Sequence, residues 1–192
     1  MGKTTHGAAL LVLIMIFLPS CGGDSQGGST APGEAEVAKM ALDVRSSAFE
    51  EGGAIPARYT CEGLDISPPL TWSSVPNDTR SLALIADDPD APRGSFVHWV
   101  IYNLPQDTRR LQEGVANQRT LPSGALQGMN GAGSIGYTGP CPPNGTHRYF
   151  FKVYALDTEL DLGARPTKEA VASAMEGHVF AEGRLLGTYQ RG

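Results

Sequence analysis

His147 and Tyr149 open an alternating apolar stretch in "GYTGPCPPNGTHRYFFKVYAL" (136–156), directly after a run of glycines and prolines. Alternation puts His147, Tyr149, Phe151 and Val153 on one strand face and Arg148, Phe150, Lys152 and Tyr154 on the other. A strand serving only the core would open on Val or Ile. This one opens on hydrogen-bonding groups, as a strand does when it delivers polar side chains to the edge of a pocket. A second histidine, His98, stands in "FVHWVIYNLP" (96–105). Alternation groups Phe96, His98, Val100 and Tyr102 against Val97, Trp99 and Ile101. Both faces are apolar, so the strand is expected to be central and His98 buried. A third stretch, "LIADDPDAP" (84–92), ends an apolar run in three carboxylates, Asp87, Asp88 and Asp90. Pro89 and Pro92 fix φ and restrict the residues before them, so this loop is stiff. For any one Asp a solvated turn is the simpler reading, and for His98 alone a satisfied core residue. Taken together, imidazoles, a phenol and carboxylates permit anion binding by hydrogen bonding, or acid–base work.

Three other patterns fail on context. "GDSQG" (23–27) has the spacing of a serine-hydrolase elbow but lacks the strand before and the helix after that would expose the serine. "GAGSIG" (131–136) has the spacing of a dinucleotide loop, but Pro140, Pro142 and Pro143 leave no room for the helix whose N-terminus would meet a phosphate. "DDPDAP" (87–92) suggests a calcium loop, yet Pro92 and Arg93 stand where such a loop wants an oxygen ligand and a glycine. No metal and no cofactor is expected.

The elements that would position the histidines are mostly strands. "LDVRSSAF" (42–49), "SLALIA" (81–86), "FVHWVIYNL" (96–104) and "RYFFKVYAL" (148–156) are rich in aromatic and β-branched residues, and Pro/Gly turns separate them. Only "PTKEAVASAMEG" (166–177) has helical period: Val171, Ala174 and Met175 share a face, Thr167 can cap the start and Gly177 can end it. Many short strands with one late helix predict a mostly-β domain built on a sandwich or Greek-key pair of sheets. Residues 115–137 read as a long loop, and a long loop in a compact domain usually carries function.

At the N-terminus, Lys3 followed by the apolar run "AALLVLIMIFL" (8–18) fits a secretory signal segment and is too short for a permanent membrane span. "LPSC" (18–21) resembles the lipobox of bacterial lipoproteins. On that reading residues 1–20 are a signal peptide and Cys21 is lipidated. A plain signal peptide with an incidental cysteine is the alternative. Residues 21–37 are Gly/Ser/Pro-rich and read as a flexible tether, which leaves 38–192 as one domain. The location expected is the bacterial cell envelope, on the extracytoplasmic side. The net charge is −5 and the densest basic pair is Arg109–Arg110, so a nucleic-acid partner has no electrostatic footprint. With Cys21 assigned to lipid, Cys61 and Cys141 remain as an even pair in an exported protein and are expected to form a disulfide. Two buried free thiols are the alternative.

Five blocks carry a resemblance that spans nearly the whole domain in order. They are "CEGLDISPPLTW" (61–72), "ADDPDAP" (86–92), "HWVIYNLP" (98–105), "GYTGPCPPNGTHRYFFKVYAL" (136–156) and "GHVFAEGRLLGTY" (177–189). Through them the sequence resembles the phosphatidylethanolamine-binding proteins (PEBP), in the bacterial branch described as Raf-kinase-inhibitor-like. The resemblance implies a large antiparallel sheet packed on a smaller one, with one or two short helices near the C-terminus. It also implies a small pocket for anions and phosphate head groups, formed by Asp88, His98, His147 and Tyr149 with a wall at Gly139 and Pro142. Asp88 would orient a histidine by accepting from its other ring nitrogen. His178 is read as structural. The function expected is non-catalytic binding of a small anionic or phosphate-bearing ligand. Two alternatives come from other classes: a regulator of a kinase- or protease-like protein partner acting through surface loops, and a hydrolase using the Asp and His side chains.

Overall fold

Apart from Gly2, the computed structural model describes residues 40–192. The expected signal peptide, the lipidated Cys21 and the tether lie outside the described residues. Among the described residues nine strands and one α-helix follow in chain order: β1 (Met40–Ala41), β2 (Asp43–Arg45), β3 (Leu70–Ser73), β4 (Ser81–Asp88), β5 (Phe96–Pro105), β6 (Arg110–Leu111), β7 (Leu126–Gln127), β8 (Thr146–Leu156), α1 (Lys168–Met175) and β9 (Val179–Gln190). A short 3-10 turn, Ala57–Tyr59, precedes β3.

The large sheet has the order β1-β9-β8-β4-β5-β7 and the small one β2-β3-β6. The large sheet is mixed rather than purely antiparallel, because β1 runs parallel to β9. That pair spans two residues and is extended by a backbone bond from Leu42 N to Glu182 O at 2.9 Å, so no side-chain pattern encodes it. The expected strand 42–49 ends at Arg45 for a local reason. Ser46 Oγ donates to Pro69 O at 2.6 Å and accepts from Ala48 N at 3.1 Å, a side-chain turn that competes with the ladder.

Two apolar layers flank the large sheet. Between the sheets, Val44, Leu70, Trp72 and Leu111 of the small sheet meet Leu82, Leu84, Trp99, Ile101, Phe151 and Val153. On the other face Ala83, Ile85, Val100, Tyr102 and Leu156 are covered by Leu160, Val171 and Met175. α1 follows the sequence reading: Thr167 Oγ accepts from Ala170 N at 3.4 Å, Val171 and Met175 are buried, and Gly177 takes left-handed geometry at φ 79. β4 is buried along its whole length, as a central strand between β5 and β8 must be.

β5 departs from simple alternation twice. Leu82 and Leu84 pair with Leu104 and Ile101, and the extra residue is accommodated beside Asn103 at φ 55. Asn103 then brackets Leu160 through both amide atoms at 2.9 and 2.8 Å. The second irregularity matters more: Ala86 pairs with Trp99 but Asp87 with Val97, so His98 is a bulge residue without a partner on β4. A bulge breaks the period of two and re-aims the side chain. Val97 therefore packs with the helix-side layer, and His98 turns to Tyr149 of the inter-sheet layer, with ring centroids 5.2 Å apart. The grouping of His98 with Val100 and Tyr102, expected from alternation, is corrected by that one extra residue.

Candidate functional site

The ends of β4, β5 and β8 open into one cavity of about 780 Å³. Its walls come from the stiff loop 91–95, the 129–131 and 138–143 segments, and the start of α1. Asp88, His98, His147, Gly139 and Pro142, all expected at a pocket from the sequence, line it. Tyr149 does not: it is 2% exposed and lies behind His98, with its hydroxyl buried and without a hydrogen-bond partner among the described residues. Burial first, and then the nearby Asp88, Asp90 and Tyr189, hold that phenol well above its ordinary range.

Each histidine is held through Nδ1. His98 Nδ1 donates to Thr138 O at 2.6 Å, since a carbonyl can only accept. His147 Nδ1 lies 2.7 Å from Asp88 Oδ2. Asp88 is fixed in turn, because its Oδ1 accepts from Asp90 N at 2.8 Å inside the proline-braced loop. Neither Nε2 has a protein partner among the described residues, and both histidines line the cavity. Burial pulls the His98 imidazole below its ordinary range, against the opposing effects of the Thr138 carbonyl and of Asp88, Asp87 and Asp65.

The strand β4 runs two residues past the apolar stretch read from the sequence, and its continued alternation separates the two aspartates. Asp88 faces the cavity, whereas Asp87 turns to the helix side and binds Lys152 Nζ at 2.8 Å and Lys168 Nζ at 2.5 Å. Burial alone would raise the Asp87 carboxyl, but the two lysines outweigh it and hold it below its usual value. Asp90, the third carboxylate, leaves the cavity and pairs with Arg148 at 2.7 and 2.9 Å, which holds it at about 2. Lys168 and the Thr138 carbonyl were not visible as site groups in the sequence. The first is signalled only by its place at a helix start, and the second is a backbone atom.

The wall is fastened to the 57–65 turn at several points. Cys61 and Cys141 form the expected disulfide, across a sequence separation of 80. Cys61 N donates to Pro140 O at 3.1 Å, Gly139 N to Asp65 Oδ1 at 2.5 Å, and the Tyr137 hydroxyl to Tyr59 O at 2.8 Å. Gly139 has to be glycine: a Cβ there would lie 2.6 Å from Tyr59 O and 2.8 Å from Thr60 Cα. Asn130 shapes the neighbouring loop, accepting from Ala132 N and Ser134 N and donating to Gly136 O at 3.0 Å. His178 is remote in role, paired with Asp157 on the surface at 2.8 Å. Among the described residues, no group of three or more His, Cys, Asp or Glu side chains is arranged to hold a metal ion.

Residues 45–190 match the phosphatidylethanolamine-binding protein family. The chain is similar to a UPF0098 protein of Methanothermobacter thermautotrophicus, with 54% identity over 79% of this chain and 100% of the relative. It is also similar to one from Pyrococcus horikoshii, with 48% identity over 80% and 78%. Among solved structures, the crystal structure of a PEBP homologue from Chlamydia trachomatis shares 44% identity with a TM-score of 0.73, covering 79% of this chain and 99% of that one. Escherichia coli YbcL, described as a member of the mammalian PEBP family, shares 33% identity at the same TM-score and coverage. With a match across the strands that carry both histidines and one relative covered end to end, the chain belongs to the phosphatidylethanolamine-binding protein family.

Proposed function

We propose that this chain is a membrane-tethered, extracytoplasmic binding module of the Raf-kinase-inhibitor-like branch, and that its cavity takes a small anion or phosphate group without catalysing a reaction. One observation carries the reading. Two histidines from different strands have Nδ1 satisfied by the protein and Nε2 left over at a common cavity. Such atoms are positioned to meet a ligand oxygen. The apolar lining by Phe96, Val97, Met129, Pro92, Pro142 and Pro143 would exclude water and strengthen those bonds. Nothing in the cavity resembles an activated nucleophile, which is why binding is preferred over hydrolysis. Lipidation at Cys21 would keep the module at the membrane surface, where phosphate head groups are abundant.

Isothermal titration of the full chain with phosphate and phosphoethanolamine tests this. Replacing both His98 and His147 by Ala is expected to weaken binding by roughly a hundredfold, the loss of two hydrogen bonds to a charged group. Folding is checked alongside by circular dichroism. Binding unchanged in a folded double variant would contradict the reading, and a partner protein captured equally by both forms would direct attention to the surface loops.

A further inference from the structure

We infer that the outer face of β8 and β9 is the surface on which the domain rests against an anionic lipid membrane. The setting rests on the membrane-tethered reading above, and the cavity plays no part in it. α1 covers only part of the second face of the large sheet. Its Val171 and Met175 pack with Ala83, Ile85, Val100, Tyr102 and Leu156, over β4, β5 and the end of β8. Beyond the helix, Arg148, Phe150, Lys152 and Tyr154 of β8 stand opposite Thr188, Leu186, Arg184 and Glu182 of β9. Phe150, Tyr154 and Leu186 are only half-buried there.

Three cations gather on one ring of this face. The heads of Arg148, Lys152 and Arg184 lie 6.0, 5.6 and 5.2 Å from the Phe150 centroid. Such side chains lay their stems along apolar surface and keep the charge outermost. The acids that pair with them sit deeper. The Arg148 side chain is 55% exposed against 28% for Asp90, and Lys152 is 30% exposed against 4% for Asp87. Lys168, from the start of α1, shares that same Asp87. Glu182 and Glu51 border the face on β9, where Glu51 accepts from Leu186 N at 2.9 Å. The outermost charge over Phe150 is therefore positive, on a chain whose formal net charge is −5.

An anionic lipid surface singles out such a face. Its potential attracts basic side chains close to it, and the attraction fades within a Debye length. The acidic remainder of the domain is repelled by the same potential, which turns β8 and β9 inward. The chain also enters the domain along this edge, since β1 begins at Met40 and pairs with β9 at Ala181 and Glu182. A flexible tether over 21–37 would span roughly 20–25 Å, which keeps the domain near the surface without choosing a face. The choice falls to the charge.

Hydroxyl-radical footprinting of the full chain tests this, with side-chain oxidation read by mass spectrometry. It is run on vesicles of phosphatidylcholine alone and of phosphatidylcholine mixed with phosphatidylglycerol. On the mixed vesicles, oxidation of Phe150, Tyr154 and Leu186 is expected to fall several-fold. Leu64, 60% exposed on the 57–65 turn, is expected to be oxidised as before. Salt at about 1 M, with a Debye length near 3 Å, should remove the protection. Arg184→Glu, at an exposed position, is expected to lower the docked-to-free ratio roughly tenfold, because two unit charges change at the surface. Arg109→Glu makes the same change beside the small sheet and is expected to leave the protection intact. Pelleting with the mixed vesicles alone, with the same protection, supports the face and removes the anchor. Pelleting with both vesicles but equal oxidation of Phe150 on each overturns the face and leaves the tether standing. If the chain pellets with neither, tether and face both fail. Protection of Phe150 by polyglutamate and by neither vesicle overturns the inference in favour of an acidic protein partner.

Discussion

Replacing Cys61 and Cys141 together by Ser is expected to destabilise the domain by about 4–5 kcal/mol. The bridge closes a sequence separation of 80, and in the chain-entropy model the unfolded chain gains that much freedom when the link is cut. Both cysteines are exposed, so a dithiol reductant reaches the bond in the folded protein and should reproduce the effect. Guanidinium unfolding with and without dithiothreitol measures it, and a loss below about 1 kcal/mol would contradict the claim that the bridge restrains the chain. Its effect on the cavity should be smaller than its effect on stability. Bonds from Cys61 N to Pro140 O, from Gly139 N to Asp65 and from the Tyr137 hydroxyl to Tyr59 O still fasten the wall, and Thr138 N still donates to His98 O at 3.0 Å. Phosphate affinity is therefore expected to fall by less than about fivefold, since the groups that position the Thr138 carbonyl keep their partners.

Trp99→Ala is expected to cost about 3–5 kcal/mol, the range for deleting a large aromatic side chain from a packed interior. Trp99 is fully buried beside the His98 bulge, edge-on to Tyr137 with ring centroids 5.6 Å apart. Its Nε1 donates to Gln127 Oε1 at 2.7 Å, and Gln127 Nε2 donates onward to Ala116 O and Gln118 O at 2.8 and 2.6 Å. The substitution thus empties a cavity and also leaves a buried amide oxygen unpaired in the knot that holds the 116–118 backbone. Trp99→Phe separates the two effects: it keeps a ring and forfeits the bond, for about 1–3 kcal/mol. Thermal unfolding of the pair checks this. A Trp99→Ala cost below about 2 kcal/mol would mean that the layer between the sheets collapses around the gap.

Much of this arrangement was legible in the sequence because its period and its punctuation agree. β8 alternates without interruption, so His147 and Tyr149 share a face as expected, and the prolines of 89–92 hold Asp88 rigid enough to brace a histidine. The helix was marked at both ends by Thr167 and Gly177, and the disulfide by an even pair of cysteines. The side of His98 was not legible for a specific reason. Phe96 and Val97 are both apolar, so a one-residue slip leaves each face still apolar, and alternation cannot register the bulge. The separation of Asp87 from Asp88 required knowing that β4 continues through both. The groups that fix the first histidine were hidden more deeply, since a carbonyl such as that of Thr138 belongs to every residue type alike. The lysines on Asp87 come from β8 and α1, 65 and 81 residues away, a pairing that only the packing of the helix on the sheet brings about.

Nitrogen NMR of the imidazole rings during a phosphate titration bears most directly on the two histidines as an anion site. Before phosphate is added, the His98 ring is expected to show its proton on Nδ1 and a lone pair on Nε2. On titration, the Nε2 signals of His98 and His147 should move together and saturate at one equivalent, while His178, held by Asp157 on the surface, stays where it was. Signals of His98 and His147 that remain still while phosphate is present, or a shift confined to His178, would show that the anion does not bind between those two rings.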